Sequence, residues 1–273
     1  MIITSPAEAK QNSEYYQALT SLLFQLADDD FIIAYRGSEW LGLAPHIEED
    51  VAFSSINQDT MGHASMFYQL LEELGEGNMD VLAHGRSVKE RVNAILLEKV
   101  NGSGTYLTEP KYDWAFTVVR NCFYTMLKKI KVESLKNSSY EPLKHIAIKV
   151  NMELYYHLLH WKTWFVQLCN ANGDAKSRMV AAIQLVMEEF EGVIHLGPSG
   201  EKMTSFNLLD SEDALRQRFV SELSAMFERA NLSLETNTKM KSGNGRNGEH
   251  TSDLEEALKT LAEVYNSDPA AVW

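Results

Sequence analysis

Residues 141–171 read EPLKHIAIKVNMELYYHLLHWKTWFVQLCNA. Apolar residues recur at three- and four-residue intervals, no glycine interrupts them, and Pro142 sits in a first turn, where its missing N–H is no loss. The spacing predicts one helix of about 45 Å at 1.5 Å per residue. Asn172-Gly173-Asp174 ends it and caps the next helix, because glycine tolerates the left-handed position and aspartate accepts orphan N–H groups. A second long helix is predicted over 46–74, and long helices with short connections favour an antiparallel bundle.

The same periodicity predicts helices over 12–27, 29–42, 86–100, 113–135, 174–192, 211–232 and 251–266, with no strand. The expected fold class is all-α. Lys239 to Glu249, KMKSGNGRNGE, is polar and rich in glycine and asparagine, which predicts a flexible linker. The expected organisation is a helical bundle over 1–238, a linker over 239–250, and a C-terminal helix and tail of the same domain over 251–273. That last segment is read as a docked arm or a partner-binding element.

Composition removes several functions. The 273 residues carry 25 Lys and Arg against 38 Asp and Glu, a net charge of −13, with no basic block. Nucleic acid and anionic membrane surfaces are therefore not expected partners. A hydrophobic share of 45% with 10% aromatic residues belongs to a packed globular chain. No apolar run approaches the roughly 20 residues of a membrane span, and MIITSPAEAK has no secretory pattern, so the cytoplasm is expected. Cys122 and Cys169 lie in apolar helical stretches without neighbouring ligands and read as buried, reduced thiols. There is no Gly-x-Ser-x-Gly elbow, and Gly243-Asn-Gly-Arg-Asn-Gly248 follows no strand, so it reads as linker rather than phosphate loop. Tyr155, Tyr156, His160, Trp161 and Trp164 form an aromatic cluster that reads as core, with the lining of a substrate channel as the alternative.

Ionisable residues inside an apolar bundle face are the informative ones. Glu39 lies between apolar Ile33 and Leu43; Asp59 and His63 are four apart; Glu153 and His157 repeat that spacing. Two acid–histidine pairs and a third acid are the beginning of a metal site. A carboxylate-bridged di-iron bundle needs more, a Glu from each of two helices and Glu-x-x-His from each of two others. Three residues before His63 stands Thr60, and three before His157 stands Leu154. The 113–135 helix has acids only near its ends, Asp113 and Glu133, with Val118-Val119-Arg120-Asn121-Cys122 in its middle. Arg120, or a hydrogen-bond network, is the expected substitute for a metal cation, because an unpaired buried charge costs several kcal/mol.

Leu26-Ala-Asp-Asp-Asp-Phe-Ile-Ile33, Gly37-Ser-Glu39-Trp40, Glu48-Glu49-Asp50-Val51-Ala52, Tyr156-His157-Leu158, Gly248-Glu249-His250-Thr251 and Asp268-Pro-Ala-Ala-Val-Trp273 carry a resemblance over essentially the whole chain. It resembles the C-type family of subunits of the bacterial phenylacetyl-CoA epoxidases, ring-oxygenating multicomponent monooxygenases of the ferritin-like class. In the similar catalytic subunits the first iron motif resembles Gln-Asp-Glu-Ala-Gly-His; here it is Gln58-Asp59-Thr60-Met61-Gly62-His63. The resemblance implies a ferritin-like antiparallel bundle with flanking helices and a non-catalytic subunit of phenylacetate degradation that holds no cofactor. Its implied partner is the di-iron catalytic subunit. Glu39, Asp59, Thr60, His63, Arg120, Glu153, Leu154 and His157 are then remnants of a decayed site, neither catalytic nor metal-binding.

The alternative is a ferritin-like iron oxygenase in its own right, using Glu39, Asp59, His63, Glu153 and His157. The ligand count favours the scaffold. A metal-free binding protein for a hydrophobic or CoA-linked ligand is a third reading, and self-association of the isolated chain is a further candidate contact.

Overall fold

The computed structural model describes residues 2–233, 235–268 and 270–271. Pro269, Val272 and Trp273, at the end of the matched C-terminal segment, lie outside the described residues. The helices are α1 Pro6–Ala9, α2 Ser13–Ser38, α3 Ile47–Leu74, α4 Ile95–Glu98, α5 Trp114–Leu135, α6 Glu141–Asn170, α7 Asp174–Met187, α8 Glu191–Ile194, α9 Gly200–Ser205, α10 Glu212–Arg229, α11 Ser252–Leu261 and α12 Glu263–Ser267. A π turn (Val81–Gly85) and two 3-10 turns (Val88–Glu90 and Gly245–Asn247) complete the helical elements, and the class is all-α as expected.

The chain forms two compact units, Met1–Ala18 with Asn101–Lys241, and Leu19–Val100 with Ser242–Trp273. In the first unit α5 is buried almost all round, which its apolar sequence dictates, and α6, α7 and α10 pack on it. Phe123 of α5 centres an aromatic cluster with Phe165, Phe190, Phe219 and Phe227, in which Phe190 and Phe219 stack at 4.5 Å. The second unit holds most of α2, all of α3, and α11, whose Leu254, Ala257 and Leu258 are buried.

Three expectations are corrected. Helix α2 does not break near residue 28; Asp28, Asp29 and Asp30 are buried and the helix runs straight through them. The 86–100 segment is not a helix. The N–H groups of Val92 and Ala94 donate to Asp28 and Asp29 at 3.0 and 2.8 Å instead of to carbonyls of their own segment, leaving only short turns and α4. A two-stranded antiparallel hairpin, β1 Gly102–Thr105 and β2 Thr108–Tyr112, occupies a stretch read as strandless. It is exposed and lacks apolar alternation, so periodicity gave no sign of it.

The segment read as a flexible linker is bonded along its length. Lys239 and Lys241 donate their N–H groups to Met187 and Glu188 carbonyls at 2.9 and 3.0 Å in the first unit. In the second unit, Lys99 donates to Ser242 at 3.0 Å and the Arg246 side chain is buried. No helix among the described residues is long and apolar enough to cross a membrane.

Candidate functional site

The second unit contains Glu39, Asp59, Thr60 and His63. Glu39 follows the last turn of α2, where Arg36, one turn earlier, donates to it at 2.9 Å. The same guanidinium donates to the Glu98 carbonyl at 2.8 Å and the Asp253 carbonyl at 2.7 Å. The cation beside Glu39 is thus its own helix neighbour. Gly37 lies so close to the Asn57 side chain of α3 that a Cβ there would collide with it. On α3, Asp59 is half-buried and His63 fully buried; the Thr60 hydroxyl is spent on the Ile56 carbonyl of its own helix at 2.7 Å.

The first unit contains Arg120, Glu153, Leu154 and His157. Arg120 is fully buried; its guanidinium donates to Asn101 and lies 4.9 Å from the Phe116 ring centre. Leu154, His157 and Trp161 lie on the buried face of α6, whereas Glu153 is exposed. The expectation that Glu153 accompanies His157 inward is therefore corrected. Position 153 is about 100° around the helix from buried Leu154, and that rotation carries it out of the core.

These residues do not fit a di-iron centre. Glu153 faces solvent, Glu39 is held by Arg36, Asp59 is only half-buried, and the two Glu-x-x-His positions offer a hydroxyl bonded to its own helix and a buried leucine. Among the described residues, no three His, Cys, Asp or Glu side chains gather as a metal-holding group. Cys122 and Cys169 are free and buried, and burial pushes the Cys169 thiol up to about 11 and raises that of Cys122 as well, which makes both poor nucleophiles.

What sequence reading missed is an ionic network in the second unit. Asp28 accepts Tyr68 Oη at 2.6 Å, Arg91 at 3.2 Å, the Val92 N–H at 3.0 Å, and Arg86. Burial alone would push its carboxyl up, but Arg86 and Arg91 outweigh it and hold it below the ordinary carboxylate value. Asp29 takes both guanidinium nitrogens of Arg246, at 2.8 and 2.7 Å. Glu98 accepts from Asn93 at 2.9 Å, from the Thr251 N–H and hydroxyl at 2.7 and 2.9 Å, and from His250 Nδ1 at 2.8 Å. His250 Nε2 faces the Arg91 carbonyl at 2.9 Å, and a carbonyl only accepts. Both ring nitrogens therefore donate, which makes His250 an imidazolium. Burial opposes that charge, but Glu98 and the Arg91 carbonyl outweigh it and hold the imidazole above its ordinary value. The available signal was three successive aspartates in an otherwise apolar helix.

A family model described as Phenylacetic acid catabolic protein matches residues 2–273. The chain belongs to the phenylacetic acid catabolic protein family. Among curated proteins, it is 26% identical over 256 residues to the C-type subunit of the 1,2-phenylacetyl-CoA epoxidase of Escherichia coli (strain K12), covering 93% of this chain and 99% of that protein. The all-α architecture of this phenylacetic acid catabolic protein family member and the length of both matches agree with the resemblance drawn from its motifs.

Proposed function

We propose that this chain is a structural, non-catalytic subunit of a phenylacetyl-CoA epoxidase complex, working in the cytoplasm beside a di-iron catalytic subunit in aerobic phenylacetate degradation. The observation that carries this reading is the Arg36–Glu39 pair: a guanidinium of fixed charge stands where the first-helix acid would otherwise serve a metal. Thr60, Leu154 and exposed Glu153 support it, because the motif positions beside His63 and His157 then offer no inward carboxylate of the kind iron requires. The chain's part in the complex is then to bind and support the catalytic subunit, and it performs no chemical step.

Elemental analysis of the protein purified from iron-supplemented cells tests the metal half of this reading. The expected result is no stoichiometric iron; about two irons per chain, the content of a di-iron bundle, overturns it and makes direct oxygenation assays the next step. Co-expression with a catalytic-type subunit that keeps both Glu-x-x-His motifs tests the other half, and a stable complex is expected.

A further inference from the structure

The C-terminal arm, from Ser242 onward, is fastened within the second unit by buried charges and a short apolar face. Arg246 gives Asp29 both terminal nitrogens of its guanidinium, at 2.8 and 2.7 Å. His250 sits between the Glu98 carboxylate at 2.8 Å and the Arg91 carbonyl at 2.9 Å, and the side chains of His250 and Glu98 are both fully buried. Helix α11 buries Leu254, Ala257 and Leu258, whereas α12 buries none of its own residues and contributes the stacking of Tyr265 on His84 at 5.6 Å. The body beneath has a charge balance of its own. Asp28 is held by Arg86, Arg91 and Tyr68, none of which belongs to the arm. At the start of the arm Gly243 has φ +124°, a backbone setting that glycine enters and leaves at little steric cost.

We infer that residues 242–268 form a strap that the proton on His250 holds shut, and that loss of this proton lets the strap open about Gly243 while α2, α3 and the first unit stay folded. Both ring nitrogens face acceptors, so loss of either proton sets a lone pair against the Glu98 carboxylate or the Arg91 carbonyl. A fully buried site admits no solvent to relieve that contact, and opening returns all three groups to water. The penalty falls on the joint between strap and body, which makes the response local. The other charged groups around the ring do not change with it. Glu98 of α4, Asp28 of α2, the Arg91 guanidinium, and Arg246, Glu249 and Asp253 of the strap are carboxylates and guanidiniums, which ordinarily keep their charges between about pH 6.5 and about pH 9. His84, the imidazole under Tyr265, is held below its ordinary value by burial and by Arg91, so it is already neutral through that range. For His250 burial also opposes the charge, but Glu98 and the Arg91 carbonyl outweigh it and raise its titration. The strap is thus held below the ordinary imidazole value and released as pH rises through the folded one.

The test is hydrogen exchange of the full wild-type chain across that pH range, each amide corrected for its intrinsic rate. Opening measured at the amides of α11 is expected to rise at least about threefold from about pH 6.5 to about pH 9, while that of α5 stays constant. In His250→Gln, which carries no titrating ring, the rise in α11 is expected to vanish. Nitrogen NMR of the wild-type imidazole gives a readout that needs no variant to fold: a doubly protonated ring at about pH 6.5 that loses its proton over the same interval in which α11 exchange rises. Exchange of α5 rising in parallel with α11 means that the whole chain opens, and overturns the strap. Exchange of α11 that does not change with pH, a rise that persists in His250→Gln, or a ring already neutral at about pH 6.5 overturns the assignment to His250.

Discussion

Arg36 reaches Glu39 across one turn at 2.9 Å while two of its other nitrogens hold carbonyls of Glu98 and Asp253, so one guanidinium ties the end of α2 to the C-terminal arm. The acid that helical spacing offers to a metal is thereby neutralised by the fold itself.

Arg36→Ala leaves a mostly buried carboxylate without its cation and two carbonyls without their donor. The expected loss is about 3 kcal/mol of unfolding free energy, in the range for removing one partner of a buried pair. Urea denaturation measures it, and a loss under about 1 kcal/mol, the scale of a surface pair, would show that solvent takes over the arginine's role.

His250 makes stability depend on pH. Its pKa is raised in the folded state, so its contribution is fully present below the unfolded value of about 6.5 and is lost as pH rises through the folded value. Melting temperatures taken from about pH 6 upward are expected to fall more steeply for wild type than for His250→Gln. Parallel curves would mean that another group governs the alkaline limb.

Thr60→Glu with Leu154→Glu restores both motif carboxylates in sequence. It is not expected to bind two irons per chain, because no acid stands in the middle of α5 and Arg36 still holds Glu39. The Leu154 substitution also places a carboxylate at a site only 1% exposed, so a loss of several kcal/mol should accompany it. Elemental analysis that returned two irons would defeat the ligand count.

Gly245→Ala tests whether the 242–250 segment is packed or slack. A Cβ there would run into the Asn93 carbonyl oxygen, a backbone atom that cannot swing aside. The expected cost is about 1–3 kcal/mol, the usual range for overpacking. A melting temperature equal to wild type would restore the view of this stretch as a loose connection.

The helices α3, α5, α6 and α10 were legible because apolar periodicity is a local property, and each lies within a few residues of its predicted bounds. Thr60 and Leu154 were legible too, since a ligand position is fixed by its offset from a histidine. Glu153 was misread because four-residue spacing brings two residues close on a helix without deciding which side of the core boundary the first one falls. The partners of Asp28 and Asp29 were hidden by distance along the chain: Arg91 lies 63 residues from Asp28, and Arg246 lies 217 from Asp29. No local pattern couples such positions, and without their buried counter-charges the same aspartates read as a helix break.

The separation of Asp29 from Arg246 also sets an order of events during synthesis. At about 5–20 residues per second, the ribosome needs roughly 10 to 45 s to add the arginine after it has added the aspartate. Throughout that interval Asp29 lacks Arg246, and Glu98, once made, awaits His250 and Thr251, which follow the arginine by four and five residues. The buried ionic network around α2 therefore cannot close until residues 246–251 have been made.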